Sequence, residues 1–300
     1  MDWIWAGVGS AVLLGIYDLF KKQAVADNAV LPVLFWAHLS AATVWVLLLM
    51  VGRHSSVMLP ALLEVTPLGM EDHVLLFAKS TLVGASWIFA YFALKHLPIS
   101  LASPIRASSP LWTLAGALLL LGERPSLGQW LGIGITIMGL FVLSLAGRHE
   151  GIQFHRDRWV LCMLMATLLG AASSLYDKYL LNTIGYTAAT VQAWFSIYLV
   201  VFFAPFAFGW WRSWWPRGRF HWRWSIPLIG WTLLAADFVY FWALEQPDVM
   251  ISVLSAIRRG GAVVAFAGGL LFFHERNGWR KLPGLVAILC GVLLLIFTRS

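Results

Sequence analysis

Arg106 sits in the apolar stretch SPIRASSPLW, residues 103–112, and Arg258 sits in LSAIRRGGAVVAF, residues 254–266, with Arg259 directly after it. A guanidinium stays charged at every physiological pH and presents its donors as a planar fork, which suits carboxylates and phosphates. Three acids lie in equally apolar surroundings: Asp18, Asp177 and Asp237. Tyr17 precedes Asp18, Tyr176 precedes Asp177, and Tyr240 lies one helical turn after Asp237. Lys79, Val83, Trp87 and Tyr91 recur at one-turn spacing, so they share a helix face. Such a set can hold a small solute, with arginines on its anionic group and rings on its apolar or amine part. The candidate binding residues are therefore Tyr17, Asp18, Trp87, Tyr91, Arg106, Tyr176, Asp177, Asp237, Tyr240, Arg258 and Arg259. Two plainer readings stand beside this one. The stripe on 79–91 also suits helix packing, and the Arg106/Arg258 pair also suits a structural clamp on carboxylates.

These residues must be positioned by elements that live in lipid. The chain has 300 residues, 60% hydrophobic and 12% charged, with mean hydropathy +0.78. A soluble protein of that length could not hide so much apolar surface. Segments of about 20 apolar residues span the hydrocarbon core, and ten are expected, near 3–22, 31–52, 74–95, 98–121, 127–146, 158–180, 187–209, 225–245, 249–273 and 281–298. Lipid offers the backbone no hydrogen-bond partners, so these are helices. AVA at 24–26 resembles a signal-peptidase site, but the preceding Met1-Asp2 carries no positive charge and Lys21-Lys22 follow the apolar run. The first span is therefore read as retained.

Ionisable groups inside a span cost roughly 2.5–3.5 kcal/mol each at the centre, so each needs a partner, a wet cavity or a headgroup. Lys21 and Lys22 lie three and four residues after Asp18, a spacing for a local ion pair with the lysines snorkelling outward. Asp177 has its lysine at the next position, Lys178, which cannot face it, so its partner must come from another helix. Lys79 is expected to reach an interface or pair with Asp72. Pro104 and Pro110 flank Arg106 and leave the Ser100 and Arg106 carbonyls without helical donors, while Ser103, Ser108 and Ser109 add hydroxyls. Gly260 and Gly261 after Arg259 allow close approach of a helix or ligand. Glu123 and Glu275 are expected to cap the helices that follow them, or to bond Arg124 and Arg276. Cys162 and Cys290 fall in separate spans and predict no disulfide or zinc site. No HExxH or comparable spacing appears, so no metal, cofactor or catalytic residue is assigned.

The chain repeats itself. Tyr17-Asp18 matches Tyr176-Asp177, and Ile105-Arg106, Gly116 and Glu123-Arg124 match Ile257-Arg258, Gly268 and Glu275-Arg276, the last three at one offset of 152 residues. Residues 1–147 and 158–300 then form two five-helix units. An odd number of spans per unit makes the second copy enter the membrane from the opposite side. The expected fold is an all-α integral membrane protein of ten transmembrane helices as two inverted five-helix repeats. The arginine occurs twice because the unit does.

PIRASSPLWTLAGALLLLGERPSLGQWLGIGITIMGLFVLSL (104–145) and its partner AIRRGGAVVAFAGGLLFFHERNGWRKLPGLVAILCGVLLLIF (256–297) carry a family resemblance. Each places a short Glu-Arg turn ahead of a Gly-rich span. The chain resembles the drug/metabolite transporter superfamily, and within it the EamA-type carriers. The resemblance implies a carrier in the cell (inner) membrane and both termini in the cytoplasm. The second copy departs from the pattern with His274 where the first has Gly122.

The formal charge is +7, carried in short loops rather than in a basic tail, which disfavours nucleic acid as a partner. The aromatic run GWWRSWWPRGRFHWRW at 209–224 reads as an interfacial belt. Basic residues divide thirteen to four against the side of the termini, which by the positive-inside rule places the termini outside, opposite to what the resemblance implies. The leading function is a secondary transporter moving a small anionic or zwitterionic, amino-acid-like solute by alternating access, as monomer or homodimer, with a proton or an exchanged solute as coupling partner. A flippase for a lipid or lipid-linked solute is the alternative. A membrane enzyme acting on lipid-linked substrate is disfavoured, because the acids are scattered.

Overall fold

The computed structural model describes residues 2–54, 60, 63–109, 111–112, 126–148, 151–214, 218–244, 257–275 and 277–298. Ten α-helices of useful length lie among the described residues: α1 (Asp2–Val25), α2 (Val30–His54), α3 (Met70–His96), α4 (Ile99–Ala107), α5 (Leu127–Arg148), α6 (Arg158–Lys178), α7 (Ala188–Trp211), α8 (Ser225–Leu244), α9 (Gly261–Phe272) and α10 (Gly278–Phe297). A π-helical turn, Tyr179–Ile184, continues α6. Side chains start two of them. The Asp157 carboxylate accepts from Trp159 N at 2.8 Å and Val160 N at 3.2 Å, and the Thr187 hydroxyl accepts from Thr190 N at 3.2 Å. Among the described residues, six helices are long and apolar enough to cross a membrane. Their outward faces are apolar too: α5 exposes Trp130, Leu131, Ile137, Met138 and Phe141, which suits a lipid surround.

Two expected spans are interrupted. The span expected over 98–121 begins as α4, only nine residues long, with Pro104 inside it and Ser108 as its C-cap. There the backbone tightens: Ser108 N donates to Ile105 O at 3.2 Å, and the Ser108 hydroxyl donates to the same carbonyl at 2.6 Å. A serine hydroxyl that satisfies a local carbonyl competes with helix propagation. The span expected over 249–273 has a matching break. Ile257, Arg258 and Arg259 are helical up to Gly260, whose N–H donates to Ile257 O at 2.8 Å, and α9 begins at Gly261. Both arginine positions thus lie just before a break. Pro110, Gly116, Glu123, Arg124 and Arg276 fall outside the described residues.

Helix pairing follows a rule. α1 packs on α8 and α9, α6 on α3 and α4, α2 on α7 and α8, and α3 on α7. α4 meets α9, and α5 meets α10. Exchanging each of the first five helices with its counterpart five places on turns α1–α8 into α6–α3, α2–α8 into α7–α3 and α1–α9 into α6–α4. All of these contacts are present, and α2–α7, α4–α9 and α5–α10 map onto themselves; α4–α10, α1–α3 and α2–α3 have no comparable counterpart among the described residues. The two related seams each carry a buried hydroxyl-to-carbonyl bond, Ser10 to Ala236 O at 2.8 Å and Ser86 to Ala166 O at 2.7 Å.

The turns gather into two groups. In one, Asn28 exchanges two hydrogen bonds with His221, Lys95 donates to Asn28 O at 2.7 Å, and Arg223 donates to Ala26 O at 2.7 Å. His96 stacks on Trp159 at 3.6 Å. Trp211, Trp214, Trp222 and Trp224 are exposed around this group. In the other, Thr66 N donates to the Thr190 hydroxyl at 2.9 Å and Tyr186 bonds Asp72; separately, Ser126 donates to Thr298 O at 2.9 Å. Tyr186 stands outside the helices, and removal from water, reinforced by the Asp72 carboxylate, pushes its pKa up to about 12, so it stays a donor at physiological pH.

Gly261 seats α1 against α9. A Cβ there would lie 2.7 Å from Ala11 O, and one on Gly15 would lie 2.8 Å from Gly261 O. Gly261→Val is therefore expected to destabilise the protein by about 1–3 kcal/mol through overpacking, read as a lower unfolding midpoint in detergent. An unchanged midpoint would remove this seam from the stabilising contacts.

Candidate functional site

The interior charges resolve into three ion pairs and two arginines without an acid among the described residues. Asp18 pairs with Lys21 on α1. Lys79 on α3 pairs with Asp177 on α6. Asp237 on α8 pairs with Arg258. Arg106 and Arg259 have no ion pair among the described residues.

Lys21 departs from the snorkelling expected for it. It is 1% exposed, and its ammonium lies 4.1 Å from the Tyr17 ring centre and 5.6 Å from that of Tyr91. A cation so deep needs its carboxylate and the ring faces to replace water. Lys22 does not reach a headgroup either. It donates to Leu94 O at 2.8 Å and Leu97 O at 2.5 Å, closing the end of α3. Lys79 bonds Asp177, not Asp72, because it lies buried on the inner face of α3 at 5% exposure, 4.8 Å from the Phe195 ring. The cross-helix partner expected for Asp177 is thus Lys79.

Arg106 reaches from the last turn of α4 into a small cavity with Asp18, Lys21, Ala102, Ser103 and Met163. The cavity measures about 10 Å³, room for about one water at most. Arg259 lies within electrostatic reach of Arg258, Tyr240 and Arg106. The Arg258 guanidinium sits 4.1 Å from the Tyr240 ring centre. Tyr17 feels Arg106, Asp18 and Asp237 together, and Asp237 feels Lys79 and Asp177. One electrostatic constellation therefore joins α1, α3, α4, α6, α8 and the turn before α9.

Buried polar atoms without partners are rare and call for a reason. Among the described residues eleven buried side-chain atoms lack a hydrogen-bond partner, and five are Tyr17 Oη, Tyr91 Oη, Arg106 Nη1, Arg258 Nε and Arg259 Nε. The two phenols come close enough to interact, but neither satisfies hydrogen-bond geometry with any partner. All five atoms are donors, and a cluster of unsatisfied donors calls for an acceptor.

Two candidates stand apart from this cluster. Trp87 stacks on His38 at 4.5 Å and meets Phe195 edge-on at 5.9 Å. Val83, Trp87 and Tyr91 all belong to one buried core with Tyr17, so the stripe on α3 is packed rather than open. Tyr176 donates to Leu75 O at 3.3 Å and stacks on Tyr179, in a separate apolar cluster with Leu76 and Val191. Tyr17 and its repeat partner therefore have different surroundings.

Sequence reasoning passed over His38, which is 2% exposed. Its Nδ1 lies 2.7 Å from Leu34 O, and a carbonyl only accepts, so Nδ1 carries the proton and Nε2 is a bare, unpartnered acceptor. A lone histidine mid-span has no spacing signal to betray it. Glu275 also departs from expectation. It caps α4, not α10, accepting from Ile99 N at 2.6 Å and Ser100 N at 2.9 Å. The carboxylate reaches the start of α4, which opens with Pro98 and has no side-chain cap of its own.

No curated protein matches the chain. A solved crystal structure, described only as that of a protein, is similar at TM-score 0.61 and 13% identity, with 98% of each chain covered. That likeness shows a fold already known from experiment. The EamA-like transporter family matches residues 1–145, a stretch that holds Tyr17, Asp18, Trp87, Tyr91 and Arg106. Over those residues the chain is similar to the EamA-like transporter family.

Proposed function

We propose that the protein is a secondary transporter in the cell membrane that moves a small anionic or zwitterionic, amino-acid-like solute by alternating access. The observation that carries this reading is the convergence of five unsatisfied donors on Tyr17, Tyr91, Arg106, Arg258 and Arg259. With three acids already matched to Lys21, Lys79 and Arg258, Arg106 and Arg259 are the arginines left without an ion pair among the described residues. A carboxylate or phosphate bridging them would satisfy donors and charge together. Tyr240 supplies ring surface beside Arg258, and Asp18, Asp177, Asp237, Trp87 and Tyr176 hold the surrounding charges and helices.

Ten spans in two inverted halves, 1–147 and 158–300, are the scaffold of this reading. The exchange symmetry of the helix contacts supports it. So do the hydrogen bonds that tie the turns at 26–28, 95 and 221–223 together and, separately, those at 66–72 and 186–190. Interrupted helices at both arginine positions also fit a carrier, since irregular backbone at membrane depth is tolerated where it lines a cavity.

The test is a thermal-stability screen of the detergent-purified protein against amino acids, dicarboxylates and inorganic phosphate. Stabilisation by anionic or zwitterionic solutes, absent for amines and neutral sugars, is the expected result. A protein stabilised only by cations would overturn the reading.

A second reading has one observation in its favour. An open apolar groove of about 390 Å³ lies between α2 and α8, lined by Val44, Trp45, Leu48, Trp231, Leu234 and Phe238. Leu234 and Phe238 flank Asp237 on α8. A groove of this chemistry suits an acyl chain whose anionic head lies at Arg258 and Arg259, as in a flippase. Translocation of a fluorescent anionic lipid in proteoliposomes, with no uptake of soluble anions, would decide for it.

A further inference from the structure

We infer that Glu275 is the positioning residue for Arg106, and that with Ser100, Lys281 and Lys22 it forms a clamp between the halves that keeps the chamber closed on the face of the α3–α4 and α9–α10 turns. The positioning role rests on geometry alone. The closing role rests on the alternating-access reading above.

A helix begins with unsatisfied N–H groups, normally met by a side chain just ahead of it. α4 begins after Pro98, which has no such side chain. Its first two amides, Ile99 N and Ser100 N, and the Ser100 hydroxyl all donate to the Glu275 carboxylate. A carboxylate is also the group that the helix dipole favours at this end. The cap therefore comes from the other half of the chain. Arg106 stands seven residues farther on, about 10 Å along the axis. α4 is cut off by Pro98 before it and Ser108 after it, so the bonds at its start fix where Arg106 points.

The surroundings are built for this contact. Lys281 is completely buried and donates to the Ser100 hydroxyl at 2.8 Å. Lys22 lies within electrostatic reach of Glu275 while it holds the end of α3. His274 and Asn277, on either side of Glu275, both adopt left-handed backbone, φ 49° and 58°. Non-glycine residues enter that region at a cost and persist where other bonds demand it. The first repeat carries Gly122 at the place of His274. Glu275 N donates to Gly269 O at 3.1 Å, and a Cβ on Gly269 would come within 3.1 Å of the carboxylate. Every bond of Glu275 to α4 runs from one half to the other, so that face cannot part without breaking them.

The test reads accessibility from each side. Ser103, which lines the cavity beside Arg106, is replaced by cysteine in a Cys162→Ala, Cys290→Ala background, because both native cysteines are free thiols. A membrane-impermeant methanethiosulfonate is applied to one face or the other of reconstituted vesicles. Glu275→Gln is expected to speed labelling from the face of the α9–α10 turn about tenfold or more, the effect of losing charge-assisted hydrogen bonds, with no rise from the opposite face. Ser100→Ala keeps every charge and is expected to raise the rate from the same face by less. If Glu275→Gln cannot be purified in folded form, Ser100→Ala decides alone. Unchanged labelling, or an equal rise from both faces, overturns the clamp. Adding inorganic phosphate or glutamate separates the two ideas: a one-sided rise without protection by either anion keeps the clamp and removes the anion site.

Discussion

Asp237→Ala is expected to lower stability by about 3–5 kcal/mol, because it strands Arg258 inside the protein without its carboxylate. Asp237 is the acid bonded to Arg258 among the described residues, and the guanidinium is otherwise held against the Tyr240 ring. The expected readout is a large fall in the detergent unfolding midpoint. Arg258→Met alone leaves a buried carboxylate and is expected to cost a similar amount. The double variant Asp237→Ala, Arg258→Met removes both charges and is expected to recover most of the loss. A double variant as unstable as the two singles combined would show that the residues act independently.

Arg106→Gln is expected to behave in the opposite way, with little change in folding and a large loss of transport. Arg106 has no acid to strand among the described residues, and its Nη1 is already unsatisfied. Removing its charge also relieves repulsion with Lys21 and Arg259, both of which feel it. Losing one member of a buried charge pair with a bound anion costs about 2–5 kcal/mol, so uptake at limiting solute should fall by at least roughly thirtyfold. The measurement is initial-rate uptake of whichever labelled anion stabilises the wild type, into proteoliposomes with matched protein content. Uptake within about twofold of wild type would remove Arg106 from the site. Arg259→Gln should follow Arg106→Gln.

The contrast between these arginines was only partly legible in the sequence. Their position in apolar runs marks all of them as expensive and identifies the acids that must share the interior. It does not say which arginine receives an acid, because pairing is decided by which helices touch. Asp177 shows where local reasoning succeeds: Lys178 on the same helix cannot face it, so a partner from elsewhere is required, and Lys79 is that partner. Lys21 and Lys22 show where it fails. Helical spacing places both beside Asp18, but only packing reveals that α3 buries one and uses the other as its C-terminal cap. Glu275 fails for the same reason, since the helix it serves, α4, lies far from it in sequence. The break before each α4-type segment's end is foreshadowed by Pro104 and by Gly260-Gly261, whereas its exact place depends on a serine hydroxyl at 108.

The two matched aspartates are bonded in mechanically different ways. Asp18 and Lys21 ride on a single rod, and no motion of α1 as a body can pull them apart. Asp177 and Lys79 weld two separate rods together, and any divergence of α3 from α6 must tear that weld. The two Tyr-Asp sites therefore do not resist movement equally: α1 carries its neutralised charge as ballast, while α6 uses its own as a tie to α3.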